Sequence, residues 1–599
     1  MKKTLAIVMA LACACLAQAA GYGILVNGNR YFSADYRGKD ANTSTYDEYL
    51  AHVQINSGDY FQLYDAEYEA AWAVDLDTYS VTGFTRNGDR YEASVSGCYD
   101  CYIKLKYGED QLYIGTGSNC GEGEDLSDVY KGAVPHQCEA VMMQAFYNES
   151  YDPDSPGVSE YGDTKWTTLT VQATELGRYF DYIWLPPSAY GDGAGYHPKQ
   201  YSNQNSNWGT RTELETLIGA LHNAGAKVVA DIVINHCANK STWCDFYEMD
   251  FGEYGVFQPD ETYICANDEV NSNPEAGDCY GTASGSNDDG ENWDGARDWS
   301  HDKVYVQQLF IAYLQWMRNV MHYDGFRYDK GDGFNNWHHW NYNKHAKPEI
   351  AFMECYSGTD EIQNRINGAQ GDLMGLDFDL KWHVFNSFAG WDYSHGRGDC
   401  IMSRGDGRHS VTFIESHDWF LRPDNENEFG GRGNSMTPAL KGRLMQANAF
   451  LLSMPGVPCV FYPHWAKYKE ELKPMIIARK WAGVHSESEV KDEYSTTTGY
   501  QATIVGKNGW LILCLGDKAN GQGFGSDYQL AASNYSTKDG HNESFEMWVN
   551  SSIAKPNPTG IEEVSSQPSA IREGKIIKDG QLYLQYEGRM YDVQGRRVN

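Results

Sequence analysis

The sequence predicts an α/β chain centred on a (β/α)8 barrel, with an inserted loop domain after the third barrel strand and β-rich domains on both sides. Three observations carry this reading. From about residue 140, short apolar runs alternate with amphipathic helical stretches: Val141-Met-Met-Gln-Ala-Phe-Tyr, Tyr182-Ile-Trp-Leu, Lys227-Val-Val-Ala-Asp-Ile-Val and Ile350-Ala-Phe-Met. Such alternation implies a parallel sheet, and eight such units close a barrel. Residues 238–300 break the rhythm with a stretch rich in Asp, Asn, Gly and Ser, and the segments flanking the barrel alternate with a period of two rather than 3.6.

In chain order, residues 1–20 read as a secretory signal. Lys2 and Lys3 precede an apolar run from Leu5 to Leu16, and Ala17-Gln18-Ala19 is a small-residue cleavage site, cut after Ala19 or Ala20. Residues 21–135 form an N-terminal domain of short strands. Tyr49-Leu-Ala-His-Val-Gln-Ile, Tyr60-Phe-Gln-Leu-Tyr and Tyr102-Ile-Lys-Leu-Lys alternate apolar and polar, and Asn87-Gly88 is a hairpin turn. This suggests a β-sandwich, in which Trp72, Tyr60 and Tyr64 are either a sugar-stacking platform or core aromatics. Residues 136–237 hold the first part of the barrel, including a helix from Thr212 to Ala224 that stops at Gly225. Residues 238–300 are the insert and 301–484 the rest of the barrel. Tyr500-Gln-Ala-Thr-Ile-Val and Gly509-Trp-Leu-Ile-Leu-Cys-Leu belong to a C-terminal β domain over 485–550. Residues 551–570 have a linker composition, and a basic, β-rich tail spans 571–599.

Composition narrows the partners. A formal net charge of −34 disfavours nucleic acid and anionic membrane surfaces. The 43 Tyr and 17 Trp suit stacking on neutral rings such as sugars, beyond those that fill the core. Beyond the signal no run of about 18 apolar residues occurs, so no membrane span is expected. The chain is expected to be a monomer, secreted or held at the cell surface. Twelve of the 14 cysteines lie beyond the signal. Cys98 with Cys101, Cys237 with Cys244, and Cys265 with Cys279 are close in sequence, though spacing alone does not assign partners. Cys355, Cys459 and Cys514 sit in apolar runs and read as buried thiols.

Four segments carry chemistry, each at the C-terminal end of a strand, where parallel barrels build their sites. Gly325-Phe-Arg-Tyr-Asp329 puts Arg327 and Asp329 on one strand face. The guanidinium orients the carboxylate and keeps it ionised, as a glycosidase nucleophile requires. Asp231-Ile-Val-Ile-Asn235-His236 offers an amide oxygen to a hard cation and an imidazole to a sugar hydroxyl. Phe352-Met-Glu354-Cys355 places a carboxyl at the end of an apolar strand, where desolvation raises its pKa into the range of a general acid. Phe413-Ile-Glu-Ser-His417-Asp418 adds a third carboxylate and another imidazole. A strand-end carboxylate alone is usually a loop cap. Four in this order and spacing argue for a site.

The set resembles the four signature regions of the α-amylase family of glycoside hydrolases, in their usual order. Trp184-Leu-Pro-Pro-Ser, Gly195-Tyr196-His197-Pro, Trp208-Gly-Thr and Met454-Pro-Gly-Val-Pro-Cys-Val-Phe-Tyr add to the likeness. It covers about Val141 to Val490 and is nearest the plant and liquefying bacterial endo-acting branch. The resemblance implies Asp329 as nucleophile, Glu354 as acid/base and Asp418 as the carboxylate that distorts and stabilises the bound sugar. It implies Tyr196, His236, Arg327 and His417 around that sugar, and starch or another α-glucan as substrate. It also implies calcium between barrel and insert, held by Asn235, Asp298 and a carbonyl near Gly333, with Asn292 or Asp294 as further ligands. Two positions depart from the family: Asp332 stands where Lys or Arg is usual, with Lys330 displaced, and Ser416 stands where Asn is usual. The tail from Ile571 to Val598 resembles C-terminal sorting domains of Bacteroidetes secreted proteins (type IX secretion). Two competing readings remain: an α-glucanotransferase using the same carboxylates, and a non-catalytic surface protein that captures starch.

Overall fold

The computed structural model describes residues 22–28, 30–39, 47–65, 70–76, 79–87, 90–105, 110–118, 120, 124–125, 130, 132–293, 295–420, 440–538, 540–557 and, within the tail, the strands between 574 and 598. The signal, Gly88, Asp294 and most of the 551–570 linker lie outside these residues. Two compact units divide at Lys131/Gly132.

The N-terminal unit is a mostly antiparallel, eleven-stranded sheet in which Gly97–Leu105, Asp47–Ile55, Arg30–Lys39, Tyr22–Val26 and Tyr60–Asp65 lie side by side. One face of these strands closes a core containing Ile24, Val53, Phe61, Leu63, Ile103 and Ile114. Tyr64 is buried against Leu25 and Tyr31, and the Arg90 guanidinium lies over the Tyr60 ring at 4.8 Å. Tyr64 is therefore a core residue. The side chain of Trp72 is outside the described set. The disulfide joins Cys98 to Cys120, not to Cys101. Cys98 and Cys101 share one strand and are three residues apart, so their side chains leave opposite faces, and Cys101 points into the core.

In the second unit, β1 (Met142–Gln144), β2 (Tyr182–Leu185), β3 (Lys227–Ile232), β4 (Gly325–Tyr328), β5 (Ile350–Met353), β6 (Met374–Leu376), β7 (Ser410–Phe413) and β8 (Val457–Phe461) close a parallel barrel. These strands are buried throughout, apart from Lys227 at the start of β3. Around them run α1 (Trp166–Tyr179), α2 (Arg211–Asn223), α3 (Val304–Asn319), α4 (Trp337–Ala346), α5 (Thr359–Gly368), α6 (Leu380–Ala389, opening as a π-helix), α7 (Leu444–Ser453) and α8 (Tyr462–Ala482). α2 shows why such a segment is helical. Thr210 and Glu213 form a reciprocal capping box, and Leu214, Leu217, Ile218 and Leu221 recur at helical spacing as its buried stripe. The last turn of α8 locks the barrel shut: the buried Arg479 guanidinium donates to the carbonyls of Leu452, Met454 and Gly456, just before β8.

Between β3 and α3 the insert leaves and returns through a short antiparallel pair, His236–Cys237 with Arg297–Asp298. A disulfide from Cys244 to Cys279 staples it. Cys237 and Cys265, the sequence neighbours of those two, are buried free thiols, as are Cys355, Cys459 and Cys514. After α8 follows a five-stranded antiparallel sheet ordered Glu489–Ser495, Gly499–Val505, Gly509–Gly516, Phe545–Ser551, Gln529–Asn534. The tail pairs Gly574–Lys578, Gln581–Tyr586, Arg589–Tyr591 and Arg597–Val598 in sequence order. Among the described residues no helix is long and apolar enough to cross a membrane.

Candidate active site

β4 sets the centre of the cluster. Its alternation turns Tyr328 outward, where its hydroxyl donates to Asn343 Oδ1 of α4 at 2.8 Å. Arg327 turns inward. Register then decides its neighbour, because Asp231 of β3 lies directly beside Arg327. Arg327 Nη1 donates to Asp231 Oδ1 and to Asp329 Oδ1, both at 2.7 Å. Its Nη2 stands 2.7 Å from Glu354 Oε2, past the end of β5. One guanidinium thus holds three carboxylates. Its plane also lies over the rings of Trp184 (5.2 Å) and Tyr196 (5.9 Å).

Asp231 has no further freedom. Its Oδ2 accepts from the Tyr196 hydroxyl at 2.8 Å and from Trp184 Nε1 at 3.1 Å. The Tyr196 ring stacks on His417, with centroids 4.9 Å apart and planes 9° apart. Gln144 on β1 pairs with His417 Nδ1 at 2.8 Å, and His417 Nε2 is 3.4 Å from Asp418 Oδ1. Ser416 Oγ reaches both Asp418 Oδ2 and the Asp418 amide at a long 3.4 Å. The side chains of Asp329, Glu354 and Asp418 keep 12%, 18% and 17% exposure, whereas Arg327 and Asp231 keep 1% and 0%. Three carboxylates are therefore open to a ligand, and one only supports them. Asp231 is the residue that sequence reasoning missed. It opens the Asp231–His236 segment, but its part depends on cross-strand register, which no local pattern encodes.

The electrostatics separate two of the open carboxyls. Burial pushes Glu354 up to about 8, against the pull of Arg327. Burial also raises Asp329, only to about 6, with Arg327 holding it down. The expectation that Arg327 dominates at Asp329 is therefore reversed in sign, because desolvation of this buried carboxyl, with Asp231 and Asp418 nearby, outweighs one shared guanidinium. Both carboxyls are raised, and Glu354 is the one held to its proton more strongly.

The structure places the other candidates as follows. His236 is 2% exposed. Its Nε2–H donates to the Tyr196 carbonyl at 2.8 Å, and the Asn235 amide reaches its Nδ1 at 3.3 Å. Asp332 is also buried. Lys330 Nζ sits 3.4 Å from its carboxylate and 3.2 Å from Glu291 of the insert, and its carbonyl accepts from Arg365. Position 332 thus ties barrel to insert.

Asn235, Asp298 and Gly333 converge. Asn235 Nδ2 donates to Asp298 Oδ1 at 3.2 Å, and a Cβ on residue 333 would lie 1.9 Å from Asn235 Oδ1, so only glycine fits there. Burial and the neighbouring Asp288 raise Asp298 to about 9, and Asp288 Oδ2 is buried with no hydrogen-bond partner. Crowded, repelling oxygen donors with an orphaned carboxylate oxygen are what a hard divalent cation satisfies, so these residues fit calcium. Asp288 emerges here as a donor. Asn292 is engaged by Asn267. Asp289, beside Asp288, forms a separate cluster with Asp302 and His338 whose ligand atoms lie within 4.8 Å of one another.

Residues 174–355 match the family model described as alpha amylase, catalytic domain. The chain is 26% identical over 441 residues to "Probable alpha-amylase 2" of Arabidopsis thaliana, covering 69% of this chain and 96% of that protein. It is 27% identical over 360 residues to "Alpha-amylase 3, chloroplastic" of the same plant, covering 56% of this chain but 38% of that protein. The crystal structure of gamma-CGTase from alkalophilic Bacillus clarkii superposes with a TM-score of 0.51 at 13% identity, over 78% of this chain and 83% of that one. That likeness concerns the fold alone. Together the sequence matches show that residues 174–355 are similar to the alpha-amylase catalytic domain, within a longer stretch similar to proteins named alpha-amylase.

Proposed function

Starting from that catalytic domain, we propose that the chain is a retaining endo-α-1,4-glucan hydrolase that acts on starch and related α-glucans outside the cell. The observation that carries the mechanism is the shared Arg327, with Asp329 and Glu354 each 2.7 Å from it. A pair gripped by one guanidinium is compatible with the separation of about 5–5.5 Å that a retaining mechanism needs.

In this reading Glu354 gives its proton to the leaving glycosidic oxygen while Asp329 attacks the anomeric carbon. The bond to the leaving sugar breaks as the Asp329–carbon ester forms. Glu354, now ionised, takes a proton from water, which displaces Asp329 and restores both groups. Asp418 hydrogen-bonds the sugar hydroxyls more strongly as positive charge develops on the ring, which is the condition for acceleration. Asp231 and Arg327 hold the pair in place without touching substrate. Asn235, Asp298, Asp288 and the Gly333 carbonyl would hold calcium, which when bound neutralises their mutual repulsion and braces the insert against the barrel. The amino-terminal signal and the sorting-like tail support export. Product analysis tests the overall reading. New reducing ends from starch support hydrolysis, rearranged glucans without them indicate transfer, and binding with no turnover indicates capture.

Two further outcomes are expected. Activity should need Asp329 ionised, so it rises as pH passes about 6, and Glu354 protonated, so it falls as pH passes about 8. A bell-shaped kcat/KM profile between those limbs checks this. A profile still rising above pH 9 would remove Glu354 from the acid role. Chelation should lower thermal stability, by about 2.7 kcal/mol relative to calcium at a hundredfold excess over its Kd. Asp298→Asn should lose most of that calcium-dependent difference, read by circular dichroism melts. Identical melts with calcium and chelator for the wild type would count against a calcium site.

A further inference from the structure

His236 faces inward, with both ring nitrogens engaged within the protein. What lies over it is the indole of Trp293, with ring centroids 4.3 Å apart. Trp293 comes from the insert and is half-buried. The exposed His197 ring is 6.0 Å away. Gly295 packs against the indole: a Cβ there would fall 2.2 Å from its six-membered ring, so a side chain at 295 would displace the ring. The Trp293 amide donates to Asp298 Oδ2 at 3.3 Å, which ties the loop to the cation-binding cluster. From this wall the path to the chemistry is short. His236 bonds to Tyr196, Tyr196 bonds to Asp231, and Arg327 joins Asp231 to Asp329.

We propose that Trp293 is a specificity-determining residue of the cleft: its indole, supported by His236, packs against the sugar ring bound beside Tyr196, in place of a hydrogen bond from His236 to that sugar. The proposal rests on the α-glucan reading above. The C–H face of a pyranose and an indole are complementary in shape and polarity, and an aromatic contact of this kind contributes beyond the area it buries. Trp293 belongs to the insert, whereas Asp329, Glu354 and Asp418 all follow barrel strands, so the contact lies outside the groups that carry the chemistry.

The test compares wild type, Trp293→Ala and Trp293→Phe on short and long maltooligosaccharides, with melting temperatures measured alongside. Trp293→Ala is expected to lower kcat/KM on the order of tenfold, mainly through KM, with melting unchanged. Trp293→Phe should recover most of the loss. A Trp293→Ala enzyme within twofold of wild type overturns the proposal. So does an equal loss in both variants accompanied by lower melting temperatures, which would make the indole a structural prop. A folded wild type inert on every glucan would instead sink the hydrolase reading. Glucan affinity electrophoresis would then judge the proposal: weaker retention of Trp293→Ala supports it, and unchanged retention overturns it.

Discussion

Asp329→Asn is expected to abolish starch hydrolysis, lowering kcat at least on the order of 10⁴-fold, while starch is still bound. An amide is isosteric with the carboxylate but cannot form the ester to the anomeric carbon. Glu354→Gln should behave differently, in a way that identifies its role. It removes the proton donor, so starch hydrolysis should fall on the order of 10²–10⁴-fold. An activated aryl α-glucoside, whose leaving group needs no proton, should lose far less in its first step. The alkaline limb of the pH profile should vanish with Glu354, because that limb reports a carboxyl raised to about 8 by burial. The measurements are reducing-sugar release from starch and aryl release from the activated substrate, for both variants. Equal losses on the two substrates for Glu354→Gln would reject it as the general acid. Retained turnover in Asp329→Asn would reject the whole assignment.

The second large effect concerns the buried cation. Arg327 is fully buried, and it is the cation that Asp231, Asp329 and Glu354 all face. Arg327→Ala leaves that cluster uncompensated. Breaking a buried ion pair from one side costs about 3–5 kcal/mol, and chemical denaturation should read a loss of that order. Activity should vanish with it, because Asp329 would lose the charge that holds it down and the group that aims it. Arg327→Lys is the sharper control. A lysine keeps the charge but not the planar fork that reaches Asp231, Asp329 and Glu354 together. It should restore much of the stability and little of the activity. An Arg327→Ala protein with an unchanged denaturation midpoint would show that the carboxylates accept protons readily enough to need no cation.

The insert's cysteines show how far one-dimensional spacing reaches. Cys237 and Cys244 are seven positions apart, yet the strand pair at His236–Cys237 carries Cys237 into the core while Cys244 meets Cys279. The same strand pair brings Asp298 to Asn235, which made those two metal candidates plausible neighbours. Asp288 could not be singled out from a run of acidic and polar residues, because what marks it is an orphaned oxygen in a buried place. Likewise, Trp293 reads in the sequence as one aromatic among many in a loop. Its place over His236 depends on how the whole insert folds back.

By itself the sequence determined the strand–helix rhythm and the barrel it implies, the interruption after β3, and the carboxylates at strand ends. These follow from local periodicity and from residue type, which any short window carries. Only the tertiary structure decided which groups share Arg327, why Glu354 is pushed further up than Asp329, that Asp231 supports the pair from full burial, and that an indole covers His236. Those facts depend on register between strands distant in the chain and on desolvation, and both exist only once the barrel has closed.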